Sequence, residues 1–361
     1  MRRSAVVRAK WHSRASATRR SLLLPLGVLG ALGALAALAL AGTAATAGAA
    51  APSAALPKAR PASAPIVLAL TATHPTSAAL GSLSAHLSSI GLLSPAWLTL
   101  QPGGQFAYNA SDPFTQGLTQ RGARLVPVLS DPQRLAGDLL ANRSVRHQLA
   151  LRLGVALRAL GASGIVLDWR DLPPRARATY PRFLHELRAE LGDASQIVVT
   201  VPPMRTRRSL RTGSYDLRAL SRPARLLVLA WNQHGPRSEP GPVASLAFWK
   251  QTLRTVLRVA PRSRVLMGVP TWGWQWHATA GAGAEQATQA QLFPKASEKA
   301  MRRRYGARVN AHAWVESDRS VQLKLLTARQ AKIGGVALWV RGGESSATWT
   351  QPWLAPPASG R

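Results

Sequence analysis

An α/β barrel with eight parallel strands is the fold that the sequence predicts, and three observations lead to it. From Pro65 onward, short apolar runs typical of strands alternate with amphipathic segments typical of helices. Eight such runs occur over about 290 residues, which is the usual size of a TIM barrel. No long linker and no internal repeat interrupts them. We therefore predict a single-domain TIM (β/α)8 barrel with a short insertion between strands seven and eight.

The predicted strands are short apolar runs, most of them rich in Val, Ile and Leu. In chain order they are Ile66 to Thr71, Leu92 to Leu100, Arg124 to Leu129, Ile165 to Trp169, Gln196 to Val201, Arg225 to Trp231, Arg264 to Pro270 and Gly335 to Val340.

The helices between these strands are indicated by apolar residues that recur three or four positions apart. We interpret each stripe as the face that packs on the barrel. The three clearest stripes are Val145, Leu149, Leu153, Leu157 and Leu160; Tyr180, Phe183, Leu184, Leu187 and Leu191; and Phe248, Trp249, Leu253, Val256 and Leu257.

The insertion is assigned to the stretch from His277 to Lys332, which is the longest one without a clear strand–helix unit. Its one strand-like piece is Ala311 to Glu316. A short insertion would leave a shallow cleft at the barrel mouth, which would suit a polymer lying along the rim.

The N-terminus is typical of an export signal. The first sixty residues hold nine basic residues and no acidic one, and Arg19-Arg20 precedes an apolar run from Leu22 to Gly42. Small residues follow in Ala-x-Ala order, as at signal cleavage sites. The alternative is an uncleaved anchor, because about 20 apolar residues suffice to span a bilayer. Both predict that the rest of the chain is exported and lies in the cell wall, the periplasm or the extracellular space.

The predicted organisation therefore has four parts. Residues 1–49 form the export signal, and 50–64 form a flexible segment rich in Pro and Ala. The barrel follows over 65–354, and 355–361 form a tail.

Composition excludes several kinds of chemistry. The chain has no cysteine, which rules out disulfides, thiol catalysis and cysteine metal sites. Its eight histidines show no metal-ligand spacing, so we expect neither a metal nor a cofactor. Lys and Arg number 46 against 15 acidic residues, which favours polyanionic partners such as anionic cell-wall polymers over a specific nucleic acid. The alternative is that the proteome or habitat of the organism sets this charge.

Candidate site residues lie in the run GASGIVLDWRDLPP, from Gly161 to Pro174. Side chains alternate along a strand, so Asp168 and Arg170 share one face, whereas Trp169 and Asp171 point to the other. In a TIM barrel, chemistry lies where the strands end, and this run ends strand four. A carboxylate and a guanidinium are therefore predicted at the barrel mouth, as a salt bridge or as a pair that contacts a ligand.

Tryptophans are concentrated at the same end of the predicted barrel. Such a group favours a carbohydrate site, because ligand pockets are rich in aromatic side chains. The alternative is that the indoles simply fill the barrel mouth. The six are Trp169, Trp231, Trp272, Trp274, Trp276 and Trp339.

Four segments, each at a predicted strand end, resemble the family 18 glycoside hydrolases, the chitinase-like barrels. They are GASGIVLDW with the following YPRFLHELRAEL, LVLAWNQH with GPVASLAFW, RVLMGVPTWGW, and GGVALWVRGGE. The resemblance covers Ile66 to Trp349 and is greatest to the bacterial spore-cortex and cell-wall hydrolases. It implies a TIM barrel that acts on N-acetylglucosamine-containing polysaccharide.

The family's catalytic pattern is altered in this chain. In the family, strand four carries D-x-x-D-x-D-x-E, in which the Glu is the proton donor and the substrate's own N-acetyl group is the nucleophile. The pattern falls on Ser163, Val166, Asp168 and Arg170, so only the third acid remains. Arginine stays protonated and cannot donate a proton on a useful timescale. The resemblance therefore implies a barrel whose hydrolysis is weak or lost, a pseudoenzyme.

The resemblance also implies a substrate-binding set. The family's Met-x-Tyr-Asp segment after strand six resembles the segment from Leu229 to Asn232, in which the tyrosine hydroxyl and the carboxylate are missing. Trp339 matches the tryptophan that lies beneath the central sugar. The candidate substrate-binding residues are Trp231, Asn232, His234, Trp272, Trp339 and Glu344.

Three functions follow from this reasoning. The first is a secreted carbohydrate-binding barrel for chitin or peptidoglycan, with Asp168 as the retained motif acid. The second is an active glycoside hydrolase with a relocated acid, either Asp171 or Glu344, with Glu316 as a further candidate. The third is a basic surface protein that binds anionic cell-wall polymers and uses the barrel only as a scaffold.

Overall fold

The computed structural model describes residues 65–108, 113–277, 284–288, 307–310 and 313–350. The predicted export signal, the segment 50–64 and the tail 355–361 lie outside the described residues, so these boundaries stay predictions. Among the described residues, no helix is both long and apolar enough to cross a bilayer.

The described strands form two sheets. The larger has the order β2-β1-β14-β9-β8-β7-β6-β5-β3-β4, and the smaller has the order β11-β10-β13-β12. The strands are β1 (Ile66–Thr71), β2 (Leu92–Pro95), β3 (Leu98–Gln101), β4 (Gln105–Tyr108), β5 (Val128–Ser130), β6 (Gly164–Asp168), β7 (Gln196–Val201), β8 (Arg225–Val228), β9 (Val265–Val269), β10 (Trp272–Trp276), β11 (Ala284–Thr288), β12 (Ala307–Asn310), β13 (Ala313–Val315) and β14 (Gly335–Trp339).

The larger sheet closes into a barrel. Its neighbouring strands from β2 round to β5 are all parallel. Closure occurs just before β5, where the N–H of Leu93 donates to the carbonyl of Arg124 at 2.9 Å and the N–H of Val126 donates to the carbonyl of Leu93 at 2.8 Å. The predicted eight-stranded barrel is confirmed.

The prediction of a single second strand, Leu92 to Leu100, was wrong. Pro95 has no N–H to continue a ladder, and the N–H of Trp97 turns back to the carbonyl of Pro95 at 2.9 Å. The chain leaves the ring at this turn. It continues as β3, which forms an antiparallel hairpin with β4 and also pairs with the end of β5.

Helices occupy the crossovers between barrel strands. Several begin with a side-chain cap, as where the Asn142 Oδ1 accepts from the N–H of Val145 at 3.1 Å. They are α1 (Ser77–Ala85), α2 (Pro113–Gln120), α3 (Ala136–Ala141), α4 (Arg143–Ala159), α5 (Ala176–Leu191), α6 (Arg207–Thr212), α7 (Leu217–Leu220), α8 (Leu246–Val256), α9 (Asp318–Gln330) and α10 (Ser346–Trp349).

Strand alternation divides the core in two. One set of side chains, including those of Leu68, Val166 and Val198, fills the barrel interior. The other set, including those of Leu167 and Val199, packs outward against the helices. The predicted stripes supply the helix side of that outer core, so their interpretation as barrel-facing is confirmed by the burial of most of their members.

The smaller sheet is the insertion between the seventh and eighth barrel strands. The sequence predicted only one strand-like piece between His277 and Lys332, whereas the described part of that stretch holds three strands, β11, β12 and β13. They form an antiparallel sheet with β10, which begins before the predicted insertion. Segments such as AEQAT in β11 have no apolar alternation of their own. Their extended form depends on pairing with β10, which is not a local property of the sequence.

A buried ion pair connects the smaller sheet to the helices. The Lys324 Nζ lies 2.5 Å from the Glu316 Oε2, and both side chains are almost fully buried. Glu316 Oε1 also accepts from the N–H of Ala244 at 3.1 Å, just before α8. Burial lowers the pKa of Lys324, while the charge of Glu316 acts to raise it. Glu316 is therefore engaged inside the protein, which removes it as a relocated catalytic acid.

Replacing Lys324 by Met should destabilise the fold by about 3–5 kcal/mol, because it leaves the Glu316 carboxylate buried without a cation. Urea unfolding measures the effect. Lys250→Met, on the half-buried surface of α8, is the matched control and should change the free energy of unfolding by less than about 0.5 kcal/mol. Equal losses in the two variants would contradict the role of the pair.

Candidate functional site

The candidate site lies at the barrel mouth, where β6 and β7 end. Asp168 is the last residue of β6 and is paired in register with Ser130 of β5. Its carboxylate points toward β7, where the Thr200 hydroxyl donates to Asp168 Oδ1 at 2.8 Å. Two neighbouring strands therefore fix the position of this carboxylate.

Arg170 binds the same carboxylate through two parallel hydrogen bonds. Its Nε donates to Asp168 Oδ1 at 3.0 Å, and its Nη2 donates to Asp168 Oδ2 at 2.8 Å. The Asp168 side chain is 17% exposed and that of Arg170 is 51% exposed. The expectation that the two side chains share one face is confirmed by this contact.

The ion pair keeps the guanidinium charged. Burial alone would lower the pKa of Arg170, but the hydrogen bond and the charge of Asp168 together raise it above its ordinary value. A group that holds its proton this firmly cannot act as a general acid near neutral pH.

Asp171 turns away from the ion pair. It lies three residues past the end of β6, and its backbone is left-handed, with φ of 54°. Its Oδ2 lies 3.2 Å from Arg134 Nη2 in the loop before α3, and both side chains are largely exposed. Strand alternation predicted that the Asp171 side chain points away from that of Asp168. The contact of Asp171 with Arg134 agrees with that prediction.

Trp169 does not lie at the mouth. Its fully buried indole stacks between β6 and α5, 5.3 Å from the ring of Tyr180 and 5.2 Å from that of Phe183. Including it in a rim cluster of tryptophans was therefore wrong. The physical reason is the same alternation that places Asp168 inside, because successive residues of β6 face opposite sides of the sheet.

Four other tryptophans are buried near the mouth. Trp231, Trp272, Trp274 and Trp276 are each 4–7% exposed and belong to the same cluster as the barrel interior. The rings of Trp231 and Trp272 meet edge to face at 5.3 Å. A Cβ at Gly268 would come within 2.3 Å of the Trp231 ring, so this glycine makes room for the indole. In this conformation the four indoles fill space, whereas Trp339 is half-buried and reaches the surface.

The remaining candidates lie in the loops after β8 and β14. Asn232 is exposed, with a left-handed backbone at φ of 58°. The half-buried ring of His234 is engaged within its own loop, with Nδ1 at 3.0 Å from the carbonyl of Glu239. Glu344 accepts from the N–H of Arg341 at 2.7 Å and from that of Gly342 at 3.0 Å, which stabilises the turn after β14.

Sequence reasoning missed Thr200 and Tyr215. Thr200 could have been found, since it is the one hydroxyl in the run IVVTV and lies two residues after Val198 on the inward face of β7. Tyr215 comes from a loop between α6 and α7, and its hydroxyl donates to the carbonyl of Trp169 at 2.7 Å. No local pattern signals that contact.

No metal site is found in the described parts of the chain, where no three His, Asp or Glu side chains cluster. The polar groups assembled at the mouth are instead a paired carboxylate, a guanidinium, a hydroxyl and an exposed amide.

Comparison with known proteins identifies the family. The model for glycosyl hydrolases family 18 matches residues 137–344, which is more than half of the chain. The chain belongs to glycosyl hydrolase family 18. The matched segment begins in α3 and includes β6, β8, β9 and β14, the strands whose ends carry most of the candidate residues.

Curated relatives of this chain include a glycosylase and a lytic enzyme of Bacillus species. The uncharacterized glycosylase YvbX of Bacillus subtilis is 25% identical over 232 residues, which cover 60% of this chain and 67% of that protein. The cortical fragment-lytic enzyme of Bacillus anthracis is 21% identical over 242 residues, which cover 60% and 54%. The match thus spans only about half the length of the second relative.

Solved structures of other proteins support the fold. The Bacillus megaterium spore cortex-lytic enzyme SleL superposes with a TM-score of 0.68 at 17% identity, covering 79% of this chain and 72% of that one. A chitinase from Chromobacterium violaceum gives 0.67 at 22% identity, covering 81% and 100%. The family resemblance inferred from the four segments is confirmed.

Tyr215→Phe should change how stability depends on pH. Burial, above all, raises the pKa of Tyr215 from 10.0 to about 12, so the folded protein favours the neutral phenol. The free energy of unfolding therefore has its full value below pH 10. It falls by roughly 3 kcal/mol as pH rises toward 12, because the phenol ionises first in the unfolded chain.

Urea unfolding between pH 8 and 12 checks this expectation. At pH 8 the wild type should be more stable than Tyr215→Phe by about 1 kcal/mol, the value of one hydrogen bond. Above pH 10 the wild type should lose stability faster than the variant. Parallel curves over the whole range would contradict a buried, hydrogen-bonded phenol.

Proposed function

We propose that this family 18 barrel binds an N-acetylglucosamine-containing polysaccharide, chitin-like or peptidoglycan, at its mouth, and that its hydrolysis is weak or lost. The observation that carries the proposal is the bidentate ion pair between Asp168 and Arg170. A cation stands where the family mechanism needs a proton donor. General acid catalysis contributes about 10²- to 10⁴-fold to a rate, so its absence removes most of the activity.

Other acids near the mouth do not replace the donor. The Asp171 carboxylate contacts Arg134 on the surface, and the Glu344 carboxylate accepts two backbone N–H groups. Both carboxylates are therefore already engaged by other partners in this conformation. The active-hydrolase alternative requires one of these two acids to leave its present partners.

Binding can persist without hydrolysis. A guanidinium has five N–H donors, and Arg170 uses two of them on Asp168. The others are free to donate to sugar or acetamido oxygens, since half of the side chain is exposed. The half-buried indole of Trp339 and the exposed amide of Asn232 add an apolar face and further hydrogen-bonding groups.

The proposed substrate class and location rest on sequence and relatives together. The names of the cortical fragment-lytic and spore cortex-lytic relatives indicate that they act on spore cortex, which favours a cell-wall glycan for this chain too. The basic, then apolar N-terminus supports export to the compartment where such glycans lie.

Restoring the acid with Arg170→Glu should raise hydrolysis of purified peptidoglycan or a chromogenic chitobioside at least about tenfold above the wild type. The new carboxyl would stand beside Asp168, and the like charge would raise the pKa of the new carboxyl toward the range of a general acid. Release of reducing sugar or chromophore measures the effect. Arg182→Glu, on the exposed face of α5, is the control for charge and should leave the rate unchanged.

Wild-type hydrolysis above blank that Asp171→Asn or Glu344→Gln abolishes would overturn the proposal and establish the active-hydrolase alternative. Failure of Arg170→Glu to gain activity while glycan binding persists would assign the loss to Trp231 and Asn232 as well, and would contradict Arg170 as its main cause.

Trp339→Ala should weaken retention on insoluble peptidoglycan or chitin about tenfold, because it removes the half-buried indole at the mouth. Trp339→Phe keeps an aromatic face and should retain most of the binding. Pull-down in 1 M salt measures the effect, since a stacking contact survives screening and surface charge attraction does not. Equal retention by Trp339→Ala and the wild type would contradict binding at the mouth.

A further inference from the structure

A separate cleft lies on the flank of the barrel, away from the mouth. The crossover from β7 to β8 consists of two short helices, α6 and α7, where the neighbouring crossovers have the longer α5 and α8. The interrupted helix layer leaves a cleft of about 730 Å³ between α5, α6, α7 and the residues that follow α8.

Arginines dominate the rim of this cleft. Four of them are exposed, and none of their guanidinium groups has a hydrogen bond or ion pair to a described residue. Two of them come from α6, one from α7 and one from the segment after α8. The four are Arg207, Arg211, Arg218 and Arg258.

The acidic residue in the cleft is already compensated. Asp216 caps α7 by accepting from the N–H of Ala219 at 3.1 Å, and its Oδ2 lies 3.5 Å from Arg177 Nη2. Arg177 in turn donates to the carbonyls of Gly213, at 2.9 Å, and Leu210, at 3.1 Å. These two charges hold the loop together and offset each other, so the four exposed guanidinium groups keep an uncompensated positive charge.

We propose that this cleft binds a phosphodiester polymer without bases, of the polyol phosphate type. Guanidinium groups match phosphate oxygens in a planar, two-pronged geometry. Leu210, Leu217 and Val259 form an apolar floor that suits the carbon segments between successive phosphates. The site is separate from the barrel mouth, and the inference does not depend on glycan binding there.

The lining favours this ligand over other polyanions. The free polar side chains of the cleft are arginines, which only donate hydrogen bonds. The ring hydroxyls of a uronic acid polymer would therefore find no free carboxylate that could accept a hydrogen bond from them. Among the described lining residues there is no aromatic ring, whereas single-stranded nucleic acid sites use rings to stack bases. Leu210 and Leu217 are buried, so the cleft has no large apolar side chain to insert into a membrane.

The guanidinium groups of the four arginines make no contact with a described residue that would stabilise the fold. Arg188 shows the contrast, since it donates to the carbonyls of Pro223, Gly192 and Ser195 and thereby joins α5 to the following loops. The guanidinium groups of these four arginines make no such bond with a described residue, and their like charges repel one another. A bound polyanion would relieve that repulsion.

The test is binding of a synthetic poly(glycerol phosphate) to the full chain at physiological salt, measured by calorimetry. Arg211→Gln combined with Arg258→Gln should weaken binding about thirtyfold, because about 1 kcal/mol is lost with each of the two exposed cations near an anionic partner. Arg143→Gln combined with Arg329→Gln is the control, since both side chains are exposed and lie outside the cleft. This control pair removes the same net charge and should change binding less than twofold.

Equal weakening by the two pairs would overturn the site, because net charge alone would then explain the affinity. Binding of polygalacturonate or single-stranded DNA as tight as that of poly(glycerol phosphate), with the same dependence on Arg211 and Arg258, would overturn the phosphodiester assignment. Trp339→Ala should bind poly(glycerol phosphate) like the wild type, so failure of the glycan proposal and failure of this one are distinguishable.

Discussion

Closure of eight parallel strands into a ring is the constraint on which the rest of this structure depends. Closure sends alternate side chains of every strand into one interior, which must be filled. Aliphatic side chains fill most of it, and the indoles of Trp231 and Trp272 join them near the strand ends. Gly268 leaves the space that Trp231 occupies. The same closure brings Thr200 within hydrogen-bonding distance of Asp168, so packing and the candidate site have a common origin.

The ion pair at the end of β6 is the basis of the proposal that this family 18 site binds a glycan without efficient hydrolysis. The residues around the pair are consistent with that proposal. Arg170 neutralises the retained carboxylate, the left-handed backbone of Asp171 turns the next acid outward, and the Tyr215 hydroxyl fixes the peptide carbonyl of Trp169 between the paired residues. Arg170→Glu therefore changes one residue of a site whose other contacts are fixed by the fold.

The basic excess of the chain has two structural forms. Arg146 and Arg188 bind an acid or backbone carbonyls and thereby connect neighbouring helices and loops. The flank arginines, such as Arg211 and Arg258, are exposed and have no described partner. The net charge of the sequence cannot distinguish arginines bound within the fold from exposed ones. Only the exposed arginines leave a cation available to a polymer.

The sequence by itself determined the number of barrel strands, the helix faces that cover them, the shared face of Asp168 and Arg170, and the family. All of these depend on local periods and on motif order, which short-range geometry controls. Only the tertiary structure decided that Trp169 is buried beneath α5, that strand two breaks at Pro95, that the insertion forms a four-stranded sheet, and that free arginines meet across one cleft. The physical reason is that burial, pairing and charge compensation depend on neighbours distant in sequence, which no local pattern specifies.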